Sequence, residues 1–260
     1  MNDLFSVKGK VALITGGAQG MGFMIAEGMV KAGAKVYITS RKADVCEASA
    51  KELSQFGECV ALPADLDTPE AIVDLANRFK EKESQIDILI NNAGRTWGAP
   101  LDSFPDKAWA PIMAVNVQGP FTLIRELLPQ LRKSGEGDKT NPARIINIGS
   151  LAGKAVEPLS AYSYASSKAA IHHLSRVLAA DLAKDNVTVN AIVPGYFPTG
   201  MTAHIRKEEE KNQELIGRVP LARMGTAEDM LGLCLFLCSR AGSYITGGEH
   251  VIDGGIYGCQ

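Results

Sequence analysis

The chain has 260 residues, of which 46% are hydrophobic and 22% are charged, and its formal net charge is −2. This length and composition are typical of one large α/β domain, or two small ones, that can bury a full core. The balanced charge gives no indication of binding to nucleic acid or to a membrane surface. No apolar run approaches the roughly 20 residues that a membrane-spanning helix needs. The amino terminus lacks the basic and apolar regions of a signal peptide, so we expect a cytoplasmic protein.

Five cysteines are present, and their spacing matches no zinc site. Cys234 and Cys238 lie four residues apart in an apolar stretch, so they would share one face of a helix. That placement favours packing in the core over metal binding, and we expect no metal site.

Strands and helices alternate along the whole chain, and no repeat or change in composition marks a domain boundary. The alternation predicts an α/β fold with one doubly wound parallel sheet and helices on both of its faces. We therefore expect a single domain over residues 1–260. The short apolar runs that predict its strands are Val11–Thr15, Lys35–Thr39, Cys59–Leu62, Ile86–Ile90, Arg144–Ile148, Thr188–Val193 and Glu249–Ile252.

A helical stretch is expected from about Asp106 to Leu131, and three prolines in it, Pro111, Pro120 and Pro129, predict breaks or kinks. Further helices are expected after the glycine-rich segment that follows the first strand, over Lys42–Gln55, from Pro69, up to about Ala183 and over Ala227–Cys238.

Tyr164 and Lys168 are four residues apart and would lie on one face of a helix. An ammonium beside a phenol favours the phenolate, so the pair predicts that the pKa of Tyr164 falls from about 10 toward neutrality. Such a tyrosine can exchange a proton with a carbonyl or alcohol oxygen near pH 7. Ser150 follows the predicted strand Arg144–Ile148, at the edge where open α/β sheets bind ligands. Taken alone, the pair is also typical of a surface lysine that packs over a tyrosine.

Gly16, Gly20 and Gly22 follow the first strand and open the first helix. Their positions suit a tight turn, a backbone that can approach a pyrophosphate, and a helix amino terminus directed at that group. Their spacing is G-x-x-x-G-x-G rather than the G-x-G-x-x-G of other dinucleotide-binding enzymes. For this segment alone, an ordinary glycine-rich turn is the alternative.

Together, these motifs resemble the short-chain dehydrogenase/reductase family. The resemblance extends over residues 15–255 and implies a Rossmann-type sheet of about seven strands in which the motifs meet at one cleft. The residues that carry it are the glycine segment, Asn91-Asn-Ala-Gly94, Asn116, Ser150, Tyr164, Lys168 and Pro194-Gly195.

The resemblance implies roles for four catalytic residues, Asn116, Ser150, Tyr164 and Lys168. Tyr164 would be the general acid and base, and Lys168 would bind the nicotinamide ribose and lower the pKa of Tyr164. Ser150 would donate a hydrogen bond to the substrate carbonyl oxygen, and Asn116 would support a relay water near Lys168. The structural alternatives are that Ser150 only ends a strand and that Asn116 only supports a kink in its helix.

The resemblance also implies a set of cofactor-binding residues. Thr199 would hold the carboxamide, Asp65 and Leu66 would flank the adenine, and Asn92 and Gly94 would line the floor of the site. A turn is the alternative role for Asp65. The full set is Thr15, Gly16, Gly17, Gln19, Gly20, Met21, Gly22, Ser40, Arg41, Lys42, Asp65, Leu66, Asn92, Ala93, Gly94, Tyr164, Lys168, Pro194, Gly195, Phe197 and Thr199.

The residues after the second strand predict which cofactor is bound. Ser40, Arg41 and Lys42 are followed by no acid before Asp44. An acid would bind a ribose 2′-hydroxyl and repel a 2′-phosphate, whereas the guanidinium of Arg41 suits the phosphate. We therefore predict NADP(H). A solvated loop charge is the alternative for Arg41, and Gln19 stands where many NADP(H)-using relatives have a basic residue.

We predict a carbonyl reductase with a small-molecule substrate. Segments around Phe5, Asn92 and Pro194 resemble the rhamnolipid-type branch of the bacterial β-ketoacyl reductases within this family, which implies a 3-oxoacyl thioester. The alternatives are a steroid, sugar or xenobiotic ketone, an NAD-linked alcohol oxidase, and a cofactor-binding sensor that performs no turnover.

Residues Tyr196–Val219 combine proline, glycine and a charged run, and we expect them to form a lid over the substrate. Phe197, Met201 and Ile205 would face the substrate, so deletion of the lid is expected to raise KM sharply.

His172 and His173 follow the first turns of the helix that contains Tyr164, and we expect them at the surface or at an interface. In the related family, this helix and the helix of Asn116 pair between subunits. The resemblance therefore implies a homotetramer or a homodimer.

Overall fold

The computed structural model describes residues 3–157, 159–200 and 208–259. Within them, a seven-stranded parallel sheet confirms the predicted fold class. Its order is β3-β2-β1-β4-β5-β6-β7, so the chain runs outward from β1 to β3 and then crosses to β4. The loops after β1 and β4 diverge at this crossing, which is where open α/β sheets form their ligand crevice. The strands are β1 Val11–Ile14, β2 Lys35–Ile38, β3 Cys59–Ala61, β4 Ile88–Asn91, β5 Ala143–Ile148, β6 Val187–Pro194 and β7 Glu249–Ile252.

Helices cover both faces of this sheet. None of the helices in the described ranges is long and apolar enough to cross a membrane. The helices are α1 Gly20–Lys31, α2 Ala43–Leu53, α3 Pro69–Lys80, α4 Trp109–Met113, α5 Gly119–Gly135, α6 Tyr162–Leu182, α7 Glu209–Gly217 and α8 Ala227–Cys238.

Two apolar clusters form the core, one on each face of the sheet. The first includes Ile14 and packs against α1, α2 and α8, and the second includes Leu13 and packs against α3, α5 and α6. Successive residues of a strand point to opposite faces, so one buried strand contributes to both clusters. Cys234 and Cys238 on α8 are 0% and 1% exposed, which confirms that they pack in the core.

A π-helical segment, Ala114–Gln118, connects α4 to α5 and contains Asn116. Pro111 and Pro120 stand on either side of it, and a proline has no N–H for the regular helical ladder. The irregularity expected from these two prolines is therefore present. A break or a kink was expected at Pro129 too, and α5 continues past it to Gly135, so Pro129 does not break the helix.

Arg144, at the start of β5, is buried and connects the sheet to the carboxyl end of α8. Its Nε donates to the carbonyl of Leu237 at 3.1 Å, its Nη2 to that of Ser239 at 2.8 Å, and its Nη1 to that of Pro142. A helix leaves its last carbonyls unpaired, and these are the groups that a buried cation can satisfy. Arg144 therefore supplies donors that the end of α8 needs.

Replacing Arg144 with Leu is expected to lower the free energy of unfolding by about 3 kcal/mol, because buried carbonyls lose their donor. Arg132→Leu is the matched control: this exposed guanidinium pairs with Asp185 at 2.9 Å, and its loss should cost less than about 1 kcal/mol. Denaturant unfolding followed by circular dichroism measures both. Equal losses in the two variants would contradict the role assigned to Arg144.

Candidate active site

The loops after β1 and β4 are joined at the crossing of the sheet. The hydroxyl of Thr15 accepts hydrogen bonds from the backbone N–H groups of Asn92 and Ala93, both at 3.0 Å. The side-chain amide of Asn92 donates to the carbonyls of Thr15 at 2.9 Å and Gly16 at 3.2 Å. These bonds fix the glycine segment beside the Asn91–Gly94 turn, as the sequence predicted for residues of one cleft.

The glycine segment fits a dinucleotide. α1 begins at Gly20 with no side chain capping its amino terminus, so its first N–H groups are open to an anion. A Cβ placed on Gly22 would lie 2.3 Å from the Gly16 carbonyl oxygen, so only glycine permits this turn to close. A Cβ on Gly20 would have Thr199 as its nearest neighbour, at 3.6 Å. Thr199 therefore lies across the cleft from the segment. Of the intervening residues of the set, Gly17 and Gln19 belong to the same turn, and Met21 is the second residue of α1.

Ser150, Tyr164 and Lys168 come together at the carboxyl end of β5. Ser150 stands two residues after the end of β5, whereas Tyr164 and Lys168 stand one turn apart on α6. The Ser150 side chain lies close enough to the Tyr164 phenol to lower its pKa. The Lys168 Nζ lies 5.7 Å from the centroid of the Tyr164 ring and donates to the carbonyl of Ile148 at 2.7 Å. The hydroxyl of Ser150, the phenol of Tyr164 and the amine of Lys168 therefore lie in one part of the cleft.

The expected fall in the pKa of Tyr164 is not found in this structure. Burial raises the pKa of Tyr164 above its usual value, and the nearby Ser150 side chain opposes part of that rise. The Lys168 amine is directed at the Ile148 carbonyl, and burial lowers its own pKa to about 8. The prediction from helical spacing omitted the cost of burying both groups, which here determines the direction of both pKa shifts.

Asn116 lies behind Gly94 and is fully bonded. Its Oδ1 accepts from the backbone N–H of Arg95 at 2.8 Å, and its Nδ2 donates to the Arg95 carbonyl and to the Ser167 hydroxyl, both at 2.9 Å. A Cβ on Gly94 would lie 3.5 Å from the Asn116 Oδ1 and 3.8 Å from the Lys168 Nζ. Asn116 therefore connects the loop after β4 to α6 close to the lysine. The structural alternative, a partner for the irregular helix, agrees with these bonds.

Arg41 lies beside the loop after β3. The backbone N–H of Ala64 donates to the carbonyl of Ser40 at 3.0 Å, which aligns the ends of β2 and β3. Arg41 lowers the pKa of Asp67, although burial of Asp67 has the larger, opposite effect. Asp67 also pairs with Arg95 at 2.7 Å. Arg41 and Lys42 are exposed and form no ion pair with any residue that the structure describes.

Asp65 and Leu66 differ in what they present to this end of the cleft. Asp65 is exposed, whereas the Leu66 side chain is 8% exposed and packs in the second core cluster. Leu66 can therefore contact a ligand mainly through its backbone.

Pro194 and Gly195 stand at the end of β6. Phe197 does not have the position that was expected for a lid residue. Its ring is 2% exposed, packs in the first core cluster and approaches Gly225 so closely that a Cβ there would lie 2.4 Å from it. Phe197 therefore does not face an open substrate cleft. The prediction failed because a single apolar residue in a polar segment carries no periodicity that would show which side it packs on. Met201 and Ile205, the other two expected lid contacts, lie outside the described residues.

Residues at both ends of the expected lid segment bind the same carboxylate, that of Glu157. The phenol of Tyr196 donates to Glu157 at 2.5 Å, and Arg218 bonds to the Tyr196 oxygen at 2.9 Å and to Glu157 at 3.4 Å. Glu157 belongs to the loop between Ser150 and Tyr164. Both ends of residues 196–219 are thus attached to the loop that joins the serine and the tyrosine. α7, inside this segment, was not predicted because its residues are almost entirely polar.

His172 was expected at the surface or at an interface, and this prediction was wrong. Its side chain is 3% exposed rather than at the surface, and its Nε2 accepts a hydrogen bond from the backbone N–H of Ser150 at 3.3 Å. The sequence could have predicted a position near the site, because His172 stands four residues after Lys168 and shares its face of α6. His173 is exposed, as expected.

Comparisons with known proteins agree with this geometry. A family model described as enoyl-(acyl carrier protein) reductase matches residues 16–257. The chain is 44% identical to the rhamnolipids biosynthesis 3-oxoacyl-(acyl-carrier-protein) reductase of Pseudomonas aeruginosa, over 99% of this chain and 100% of that protein. It is 36% identical to 5-keto-D-gluconate 5-reductase of Escherichia coli K12, over 98% of each.

A solved structure, the active-site complex of Pseudomonas aeruginosa RhlG with NADP, superimposes with a TM-score of 0.95. The two chains are 44% identical, and the match covers 98% of this chain and 99% of that one. The family model and both relatives extend over almost the whole length, as did the motifs in the sequence. The chain therefore belongs to the short-chain dehydrogenase/reductase family.

Proposed function

We propose that the protein is an NADP(H)-dependent ketone reductase that converts a 3-oxoacyl thioester to the 3-hydroxyacyl form. As a member of its family, it is an oxidoreductase that acts on a CH–OH or keto group. The observation that carries the proposal is the meeting of Ser150, Tyr164 and Lys168 at the carboxyl end of β5, beside the glycine segment. A cofactor-binding sensor would need the glycine segment but not the phenol and hydroxyl.

The described residues suit NADP(H) along the whole cleft. The open N–H groups of α1 would hold the pyrophosphate, Arg41 the 2′-phosphate, and Lys168 the nicotinamide ribose. Asn92 and Gly94 would form the floor, and Thr199 would reach the carboxamide. The bound RhlG structure contains NADP, which supports this choice. When bound, the reduced nicotinamide would supply the hydride to the ketone carbon.

Tyr164 would give its proton to the ketone oxygen while Ser150 donates a hydrogen bond to that oxygen. Burial keeps the phenol protonated, which is the form that ketone reduction requires. Lys168 would orient the ribose from the buried position in which the Ile148 carbonyl already holds its amine. Asn116 would keep Arg95 and α6 at the separation that this arrangement needs.

Two apolar loops extend from the site and favour an acyl substrate. Ala99 donates its N–H to the carbonyl of Ser160 at 3.0 Å, so the loops after β4 and β5 lie side by side. Three apolar side chains on them remain open to solvent: Val156 is 99% exposed, Leu101 75% and Trp97 50%. Exposed apolar surface that borders a site is typical of a region that binds apolar ligand.

The cations on the same loops argue against a sugar acid. Residues 95–104 contain Arg95, which pairs with Asp67, and residues 151–161 contain Lys154, which pairs with Glu249 at 2.8 Å. A gluconate-type substrate carries a carboxylate, and these two cations already have carboxylate partners. The E. coli relative named above is a 5-keto-D-gluconate reductase, so this distinction needs a direct test.

A comparison of kcat/KM with NADPH for 3-oxoacyl thioesters of increasing chain length and for 5-keto-D-gluconate tests the substrate. We expect kcat/KM to rise with chain length, by about threefold or more for each pair of methylenes buried against the loops. Leu101→Ser should reduce this dependence and leave the shortest thioester unaffected. Higher kcat/KM for 5-keto-D-gluconate would overturn the substrate class but retain the reductase.

The rate of ketone reduction is expected to fall as pH rises through about 8. Burial lowers the pKa of Lys168 to about 8, so above that pH the amine loses the charge with which it would hold the ribose. Tyr164, whose pKa is raised, keeps its proton over the same range. The measurement is kcat/KM at saturating NADPH from pH 6 to 10. Lys168→Arg keeps its charge at high pH, so its residual activity should lack the fall; the same profile in both proteins would contradict this assignment.

We also propose that residues 196–219 cover the substrate. Tyr196 and Arg218 attach both ends of the segment to Glu157, in the loop between Ser150 and Tyr164. Deletion of the middle tests the proposal, because loss of a lid raises KM for the ketone, whereas an unchanged KM refutes it.

A second copy of the chain is our proposed partner for an apolar groove on α4, the π-helical segment and α6. The groove has a volume of about 440 Å³, and Phe121 on its rim is 41% exposed. Light scattering, which gives the mass of the particle in solution, tests whether this face is shared between subunits. Its lining residues are Ala110, Met113, Ala114, Val117, Gln118, Phe121 and Leu174.

A further inference from the structure

The segment that carries Ser150 is held by α6 at two points. Lys168 donates to the carbonyl of Ile148 at 2.7 Å. One helical turn later, the Nε2 of His172 accepts from the backbone N–H of Ser150 at 3.3 Å. The residue between them, Gly149, donates its N–H to the Ile192 carbonyl of β6 at 2.7 Å. The backbone that presents the Ser150 hydroxyl is thus bonded at three consecutive residues.

The imidazole of His172 fits closely against this segment. The side chain is 3% exposed, and a Cβ on Gly149 would lie 2.0 Å from its Nε2. No side chain can therefore occupy position 149 while the ring keeps its place. The ring therefore fills the space beside the backbone of Gly149, next to the residue whose N–H it accepts.

The surroundings of His172 keep Nε2 available as an acceptor. Because Nε2 accepts, the proton of the neutral ring is on Nδ1, which faces the Oε2 of Glu249 at 3.9 Å. Glu249 is itself held by Lys154 at 2.8 Å and by Arg176. The pKa of His172 is lowered to about 4, mainly by burial; Glu249 opposes this shift, and Lys168, Lys154 and Arg176 add to it. The ring is therefore neutral over the pH range in which such an enzyme is assayed.

We propose that His172 is a positioning residue for the Ser150 hydroxyl, acting through the Ser150 backbone N–H. This inference rests on the proposed function, in which Ser150 donates a hydrogen bond to the ketone oxygen. The hydroxyl accepts from the N–H of Ala152 at 3.2 Å and lies near the Tyr164 phenol, whose pKa it lowers. Rotation of the Ser150 peptide would shift it relative to both, and misplacement by about 1 Å can reduce a rate by 10²-fold.

The test compares His172→Leu, which removes the acceptor, with His172→Gln, whose side-chain oxygen can accept from Ser150 in place of Nε2. His172→Leu should lower kcat for a 3-oxoacyl thioester by about tenfold or more. The Kd for NADPH, measured by fluorescence, should stay within about twofold, because the ring contacts the serine segment rather than the cofactor cleft. His172→Gln should recover most of the loss. His173→Leu, on the exposed side of the same turn, is the matched control and should match the parent protein.

The same substitution in a Ser150→Ala background distinguishes positioning from general damage. With no hydroxyl to place, His172→Leu should cause no further loss in residual kcat. An equal loss in both backgrounds, or no loss in either, overturns the inference. Where His172→Leu does not fold, His172→Asn replaces it, because its shorter amide does not reach Ser150. Turnover retained by Tyr164→Phe would instead refute the proposed function, so the two failures are distinguishable.

Discussion

Replacing Tyr164 with Phe is expected to lower kcat for ketone reduction by about 10³-fold and to leave the affinity for NADPH within about twofold. The substitution removes the phenol hydroxyl, which lies near Ser150 on a residue one helical turn from Lys168. The ring remains, so the packing around the cleft is preserved. Single-turnover reduction at saturating NADPH gives the rate, and quenching of protein fluorescence gives the Kd.

Tyr162→Phe is the matched control for this prediction. Tyr162 is two residues away on α6, is 37% exposed, and packs its ring against Phe104 with centroids 5.2 Å apart. Residues two positions apart on a helix do not share a face, so removal of the Tyr162 hydroxyl should change kcat by less than about twofold. Comparable losses in both variants would show that the tyrosines act through packing, and the proton-donor role of Tyr164 would have to be abandoned.

Replacing Arg41 with Asp is expected to raise KM for NADPH by about 100-fold and to leave KM for NADH nearly unchanged or lower. A guanidinium that bonds a 2′-phosphate is replaced by an acid that repels the phosphate and can accept from a 2′-hydroxyl. Arg41 is exposed and forms no ion pair within the described residues, so we expect its replacement to leave the fold unchanged. Initial rates with the two cofactors measure the change.

Lys51→Asp controls for the change in net charge. Lys51 is an exposed cation in the last turn of α2, the helix that begins just after Arg41. The substitution makes the same change of charge in a neighbouring element, away from the end of β2. A similar rise in KM for NADPH in both variants would mean that the general field of the protein, rather than a contact with the phosphate, sets the preference.

The fold was predictable because its strands are apolar on both faces. Runs such as Ile86–Ile90 and Arg144–Ile148 have no polar side and therefore indicate buried parallel strands. The bounds differ by one or two residues; β4, for example, is Ile88–Asn91. The order of the strands could not be predicted from local sequence patterns, because it depends on long-range pairings such as that of Ala12 with Ile88.

Parts of the site could not be predicted because they depend on burial rather than on spacing. The spacing of Tyr164 and Lys168 was a correct guide to their common face, but not to the direction of the pKa of Tyr164. His172 shares that face too, and only the approach of Gly149 shows why a histidine is buried there. Phe197 packs inward through Gly225, a contact between residues far apart in the chain.

The hydrogen bonds of the Arg144 guanidinium also affect how the chain folds during translation. Two of its carbonyl partners, on Leu237 and Ser239, follow it by 93 and 95 residues. During translation, β5 leaves the ribosome well before these partners exist, and a lone buried cation is costly. We therefore expect the nascent chain to keep this end of the strand hydrated until nearly all of the polypeptide has been synthesised. A chain released before Ser239 would present that open edge to chaperones and proteases.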